Sequence, residues 1–173
     1  MALKHAGALA VSLALALATL SGLHALWEDT IHNNRLNYEQ ELVNEALQNT
    51  PYDNDIISTR QSILVVFPTA TINVVWKAVY KNQLTAVVVK AVAQGYGGDI
   101  IFIIAYNLRG ERLGARIVQH RETPGIGDFL HSRGGALRAI DGVSSATITS
   151  NAVADAAADI ADWVRDNTVM LFN

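Results

Sequence analysis

Val74-Val75-Trp76-Lys77-Ala78-Val79-Tyr80-Lys81-Asn82-Gln83-Leu84-Thr85-Ala86-Val87-Val88-Val89-Lys90-Ala91-Val92 holds two runs dense in β-branched and aromatic residues, Val74–Tyr80 and Leu84–Val92. Such residues suit a pleated, packed surface, so both runs read as strands. Lys81-Asn82 leaves too little chain for anything but a hairpin, and a hairpin makes the pair antiparallel. Three more runs have the same character: Ile63–Phe67, Ile100–Tyr106 and Leu113–Val118. Arg109-Gly110 is a second tight loop, while Gly95-Tyr96-Gly97-Gly98 is a wider glycine-rich bend.

Downstream, residues 151–166 carry Val153, Ala156, Ala157, Ile160, Trp163 and Val164 at helical spacing, with Asp155, Asp159 and Asp162 on the other side. A sheet with one face against this helix is a compact α+β domain. Trp163 reads as core, with contact to a bound ligand as the alternative.

The whole chain has 173 residues, a net charge of −3, no cysteine and no Lys/Arg cluster. That composition offers no electrostatic footprint for nucleic acid. Disulfides, thiolate metal sites and cysteine nucleophiles are excluded. There is no Gly-x-Ser-x-Gly elbow, Walker loop or Rossmann fingerprint.

Ahead of the strands, Ala6 to Leu26 contains no Asp, Glu, Lys or Arg, and His24 is its only ionisable residue. About 20 such residues cross a bilayer as a helix. Lys4 precedes the run, Glu28 and Asp29 follow it, and Trp27 stands where an interfacial aromatic would. The positive-inside rule puts the N-terminus in the cytoplasm. A cleaved signal peptide is the competing reading, against which Leu23-His24-Ala25 makes a poor small-x-small site. Residues 31–50 read as a connecting helix with Leu36, Leu42, Val43, Ala46 and Leu47 on one stripe, ended by Thr50-Pro51. The expected division is an anchor over 1–30, this connector, and a domain over 51–173 outside the cytoplasm.

Two further stretches carry chemistry. In His120-Arg121-Glu122-Thr123-Pro124-Gly125-Ile126-Gly127-Asp128, Pro124 fixes a turn, and Gly125 and Gly127 leave the backbone uncovered. Exposed NH groups there can meet a polar ring edge or a phosphate, and Glu122 can accept hydrogen bonds. An ordinary tight turn is the bland alternative. His120 and Glu122 share a face but lack further ligands at metal-like spacing, so no metal site is expected. In Asp141-Gly142-Val143-Ser144-Ser145-Ala146-Thr147-Ile148-Thr149-Ser150-Asn151, four hydroxyls (Ser144, Thr147, Thr149, Ser150) precede the helix. They can cap its orphan NH groups, and the same NH groups attract a phosphate.

This last stretch resembles the flavinylation motif, usually Asp-x-x-Ser/Thr-Gly-Ala-Thr, of covalent FMN-binding domains. Ser145 stands where that family has Gly. The Gly-Tyr-x-Gly bend and the Glu-Thr-Pro-Gly loop, in this order, resemble the G subunit of the Rnf electron-transport complex. Tyr52-Asp53-Asn54 is similar to a turn of that subunit, and the C subunit of the sodium-pumping NADH:quinone reductase has a related Glu-Thr-Pro-Gly loop. The resemblance implies an N-terminal transmembrane helix followed by one FMN-binding domain with an antiparallel sheet and flanking helices. It implies FMN held covalently, by a phosphoester to Thr147. Ser144, Ala146, Thr149 and Ser150 would shape the phosphate end. Glu122, Thr123, Pro124, Gly125 and Gly127, with Gly97 and Gly98, would line the ring or its chain, and Asp141 would be read by a flavin transferase. The function implied is electron relay among the membrane subunits of an ion-translocating ferredoxin:NAD oxidoreductase in the inner membrane. The chain would have no complete active site of its own. Ser145 and the short 128–140 bridge, which carries His131, Arg133 and Arg138, keep open a structural or assembly subunit without covalent flavin.

Overall fold

A computed structural model describes residues 2–121 and 144–171. The first helix, α1, runs unbroken from Ala2 to Leu47. It is shared by two compact units, Met1–Tyr38 and Glu39–Asn173. In the first unit α1 is long and apolar enough to cross a membrane, and Leu9, Leu13, Leu17, Leu20 and Trp27 are all exposed. The hydroxyls of Ser12 and Thr19 are satisfied within the helix. Ser12 Oγ donates to the Leu9 carbonyl at 2.9 Å, and Thr19 Oγ1 reaches those of Ala16 and Leu15 at 2.9 and 3.0 Å. Polar side chains in an apolar solvent require such internal partners.

The second unit is built on five antiparallel strands in sequence order: β1 (Gln61–Val66), β2 (Ala70–Tyr80), β3 (Gln83–Gln94), β4 (Asp99–Asn107) and β5 (Arg112–Gln119). Every expected run is a strand. Lys81 and Asn82 have φ of 51° and 61°, the two positive values a two-residue hairpin turn demands. Gly110 has φ 77° and closes the β4–β5 turn.

Both faces of the sheet are covered, so β2, β3 and β4 lack a polar face. One face carries Ile72, Val87, Val89, Phe102, Ile104 and Tyr106 against α2 (Ser144–Leu171), which contributes Ala156, Ala157, Ile160 and Val164. On the other, Val74, Trp76, Val88 and Ile103 meet Leu42, Val43, Ala46 and Leu47 from the last turns of α1. Trp76 is wholly buried there. The stripe expected of a connector is thus part of the core.

Charge fixes how the last turns of α1 lie. Glu39 is buried, 3.6 Å from Lys90 Nζ on β3 and 3.8 Å from Arg60 Nε. Glu45 pairs with Arg116 of β5 at 2.7 Å. Beside this pair the two backbones touch: a Cβ on Gly114 would stand 2.6 Å from the Ala46 carbonyl oxygen.

β1 covers only the first half of β2, and side chains complete the rest of that edge. The Asn54 amide donates to the Lys77 carbonyl at 3.0 Å and accepts from the Val79 N–H at 2.8 Å. Thr59 Oγ1 accepts from the Lys77 N–H at 2.9 Å, and Asp53 accepts from the Lys81 N–H at 2.9 Å. Buried backbone groups need partners, and here Asn54 imitates one residue of a strand.

α2 differs from expectation at its start. It begins at Ser144 rather than near Asn151, so the hydroxyl-rich stretch forms its first two turns. Ser and Thr are weak helix formers because their hydroxyls compete for backbone groups. In a first turn those groups are unpaired anyway, so the competition costs little.

Candidate functional site

Two contacts hold α2 to β4 and the turn that follows it. Tyr106 Oη, near the end of β4, donates a 2.6 Å hydrogen bond to the Ala157 carbonyl. One helical turn on, Ala161 lies against Gly110 in the β4–β5 turn, its oxygen 2.9 Å from where a Cβ on that glycine would stand. α2 is thereby tied to β4 through Ala157 and to the β4–β5 turn through Ala161.

The β3–β4 bend and the exit of β5 lie together at one end of the sheet. Gln94 pairs with Asp99 across the bend, which Gly95 N–H closes onto the Gly98 carbonyl at 2.9 Å. Ile101 pairs with Gln119, so β5 finishes alongside the start of β4. Gly98 has φ 132°, a conformation that side chains rarely adopt. Arg121 lies beside it, with Cδ 3.7 Å from the position a Cβ would take. Tyr96 projects from the bend with 67% of its surface exposed.

Thr69, in the β1–β2 turn, donates to the Asp159 carboxylate and ties that turn to α2. Next to it a surface cavity of about 210 Å³ is lined by Thr69, Thr71, Val92, Gln94 and Asp99, among others. That volume is below the range for a whole cofactor and takes only part of one.

Of the residues singled out from sequence, Gly98 lies in the β3–β4 bend, and Ser144, Ala146, Thr147, Thr149 and Ser150 lie in the first two turns of α2. Glu122, Thr123, Pro124, Gly125, Gly127 and Asp141 lie outside the described residues; the described chain leaves at Arg121 and resumes at Ser144. Trp163 is half-buried and packs against the core. No group of three His, Asp or Glu residues is arranged for a metal among the described residues. Sequence reasoning passed over Tyr96 and Arg121. The available signal was an aromatic set between glycines, but only its exposure separates it from a packed one.

This end offers a tight glycine bend, an exposed aromatic and an arginine, and α2 offers a helix N-terminus at Ser144. Those groups fit a cofactor with a flat polar ring and a phosphate.

Residues 95–162 match the FMN-binding domain family. The chain is 34% identical over 134 residues to the G subunit of the ion-translocating oxidoreductase complex of Cronobacter sakazakii, an alignment covering 75% of this chain and 63% of that protein. It is 30% identical over 143 residues to the protein of the same name from Stutzerimonas stutzeri, covering 80% and 62%. With that of Yersinia pestis the identity is 31% over 132 residues, covering 71% and 62%. The chain thus spans a little over three-fifths of the length of these relatives. The chain is thus similar over residues 95–162 to the FMN-binding domain family, and over most of its own length to G subunits of ion-translocating oxidoreductase complexes.

Proposed function

We propose that this chain is the electron-carrying subunit of a membrane ion-translocating oxidoreductase complex of the Rnf type, with FMN bound covalently to Thr147. One observation carries the reading most. The stretch resembling a flavinylation motif forms the first turns of α2, so Thr147 lies where a helix N-terminus leaves NH groups unpaired.

In this reading the phosphoester joins the FMN phosphate to Thr147 Oγ1. The unpaired NH groups of the first helical turn face the same phosphate, with the helix dipole favouring its charge. Gly97 and Gly98 accept the ring or its chain without a Cβ in the way. When bound, the isoalloxazine supplies the redox chemistry, and the chain supplies placement and electrostatics. A covalent bond suits a relay that must keep its cofactor. Glu122, Thr123, Pro124, Gly125 and Gly127 complete the lining, and Asp141 is part of what the flavin transferase recognises.

The relatives' name supports partners among the other membrane subunits of such a complex. α1 anchors the chain in the membrane with its N-terminus cytoplasmic and the FMN-binding domain on the other side; Lys4 and the charges after Leu26 support that orientation.

The test is chemical. Purified after co-expression with a flavin transferase, the chain gives a fluorescent band on a denaturing gel and a mass increase matching FMN. Thr147→Ala loses both. A fluorescent band that survives Thr147→Ala overturns the assignment. Ser145, at the position of the family Gly, favours a second reading: a structural or assembly subunit without flavin. A colourless wild-type chain from the same preparation supports it.

A further inference from the structure

Polar side chains in the apolar run of α1 fall on two opposite sides of the helix. Ser12 and Thr19 return their hydroxyls to helix carbonyls. Ser21 and His24 are exposed, and among the described residues neither has a hydrogen-bond partner. Glu28, one turn after His24, is likewise exposed and forms no ion pair among the described residues. Ser12 and Ser21 stand nine residues apart, about two and a half helical turns, so they look in opposite directions.

Ser21, His24 and Glu28 belong to a longer seam. Ala14, Leu17, Ser21, His24, Glu28 and Ile31 follow one another at steps of three and four residues, the spacing with which two helices pack side by side in a membrane. All six are exposed. Ser21, His24, Glu28 and Ile31 also border one surface hollow of about 560 Å³. With a rise of about 1.5 Å per residue, His24 stands about 6 Å and Ser21 about 10 Å further into the apolar run than Glu28. Hydrocarbon offers an imidazole or a hydroxyl no partner, and an ionisable side chain within a span is met by protein or by water. Lipid can cover the side with Ser12 and Thr19, which are already bonded, but would leave Ser21 and His24 orphaned.

A second copy of this chain fits the seam poorly. In a parallel pair each seam residue faces its own counterpart, so Glu28 would meet Glu28. Like charges face to face work against such a pair. The complement is a helix of a different chain, with a hydrogen-bonding side chain at the depth of Ser21 and His24 and a Lys or Arg facing Glu28.

We propose that this seam is the docking face of α1 for a transmembrane helix of another subunit, with His24 as its polar anchor. The inference rests on reading α1 as the membrane span of a subunit in a larger complex. It goes beyond that reading to the face used and the polarity of the partner.

The experiment uses the full chain in membranes of cells that express the whole complex. A benzophenone amino acid replaces Leu17, on the seam, or Leu15, on the other side of the helix. Illumination is expected to join the Leu17 variant to one membrane subunit, identified by peptide mass, and the Leu15 variant to lipid alone. Lipid alone at Leu17, a dimer of this chain, or the same protein adduct from both positions overturns the proposal. His24→Leu is then compared at a detergent concentration that halves the wild-type adduct. Its bound-to-free ratio is expected to fall about three- to tenfold, the scale of one interhelical hydrogen bond in a membrane. His24→Gln, which keeps a donor and an acceptor, retains the adduct. A His24→Leu variant that crosslinks as wild type overturns the role of His24. Release of the wild-type chain by alkaline carbonate, which strips unanchored proteins from membranes, overturns the membrane-span reading and this inference with it.

Discussion

The Tyr106 hydroxyl donates a 2.6 Å hydrogen bond to the carbonyl oxygen of Ala157, inside the core that joins β4 to α2. It links the sheet to the helix whose first turns carry the candidate attachment residue. Tyr106→Phe keeps the ring and removes this bond. The expected loss is about 1 kcal/mol of unfolding free energy, measured by denaturant titration. Burial pushes the phenol above its ordinary pKa, with the Arg112 charge opposing weakly. The fold therefore holds this proton more tightly than the unfolded chain. Its contribution is complete below the ordinary tyrosine range and is lost as pH rises through and beyond it. Tyr106→Phe should flatten that alkaline decline.

Gly114 lets β5 approach the end of α1. In Gly114→Ala the new methyl would meet the Ala46 carbonyl at 2.6 Å and Gln48 Nε2 at 2.8 Å. A backbone carbonyl cannot swing aside, so the helix end must shift. A destabilisation of about 1–3 kcal/mol is expected. A thermal midpoint equal to wild type would contradict the close approach.

Asn54 tests whether a side chain truly stands in for a strand. Asn54→Ala leaves the Lys77 carbonyl and the Val79 N–H without their partner, a cost of about 1–3 kcal/mol. Asn54→Asp keeps the acceptor toward Val79 and loses the donor to Lys77, placing a carboxylate against a carbonyl oxygen. It should be no better than Ala, and faster amide exchange at Val79 in the Ala variant locates the effect.

Glu39 is a buried carboxylate served by Lys90 and Arg60. Glu39→Gln leaves the half-buried Lys90 without its counter-charge and is expected to destabilise by about 1–3 kcal/mol. Glu39→Met combined with Lys90→Met removes both charges and should recover much of the loss. A double mutant worse than the sum of the singles would show that packing, not charge, holds this corner.

Glu111 reports on the β4–β5 turn. Hydrogen bonds from Arg109 at 2.8 Å and from Asn107 at 2.6 Å hold its carboxyl below the usual carboxylate range. The small stability it brings is present above the ordinary glutamate pKa and disappears as pH falls through the lowered value. An NMR titration should show the depressed carboxyl in wild type, and Arg109→Gln should move it back upward.

Strands were readable from sequence because Val, Ile and aromatic runs with two-residue interruptions leave few alternatives. The start of α2 was not, since Ser144, Thr147 and Thr149 look like loop until their helical NH groups are considered. Pattern also hid the second core. Leu42, Val43, Ala46 and Leu47 make the same stripe whether they line a connector or cover a sheet, and only the tertiary partners Trp76 and Val88 decide between them. The Asn54–Val79 bond spans 25 positions, beyond what any local rule detects. For the candidate site, the order of motifs was legible, whereas the exposure of Tyr96 and the proximity of Arg121 depend on how β3, β4 and β5 end together.

With a helix on each side, the sheet of this domain has no broad surface left for a visitor. Among the described residues, encounter with other proteins is confined to its rims: the outer strand with Leu64 and Val66 uncovered, and the end bearing Tyr96. Substitutions at those rims should alter encounter with a partner while leaving the fold behind them undisturbed.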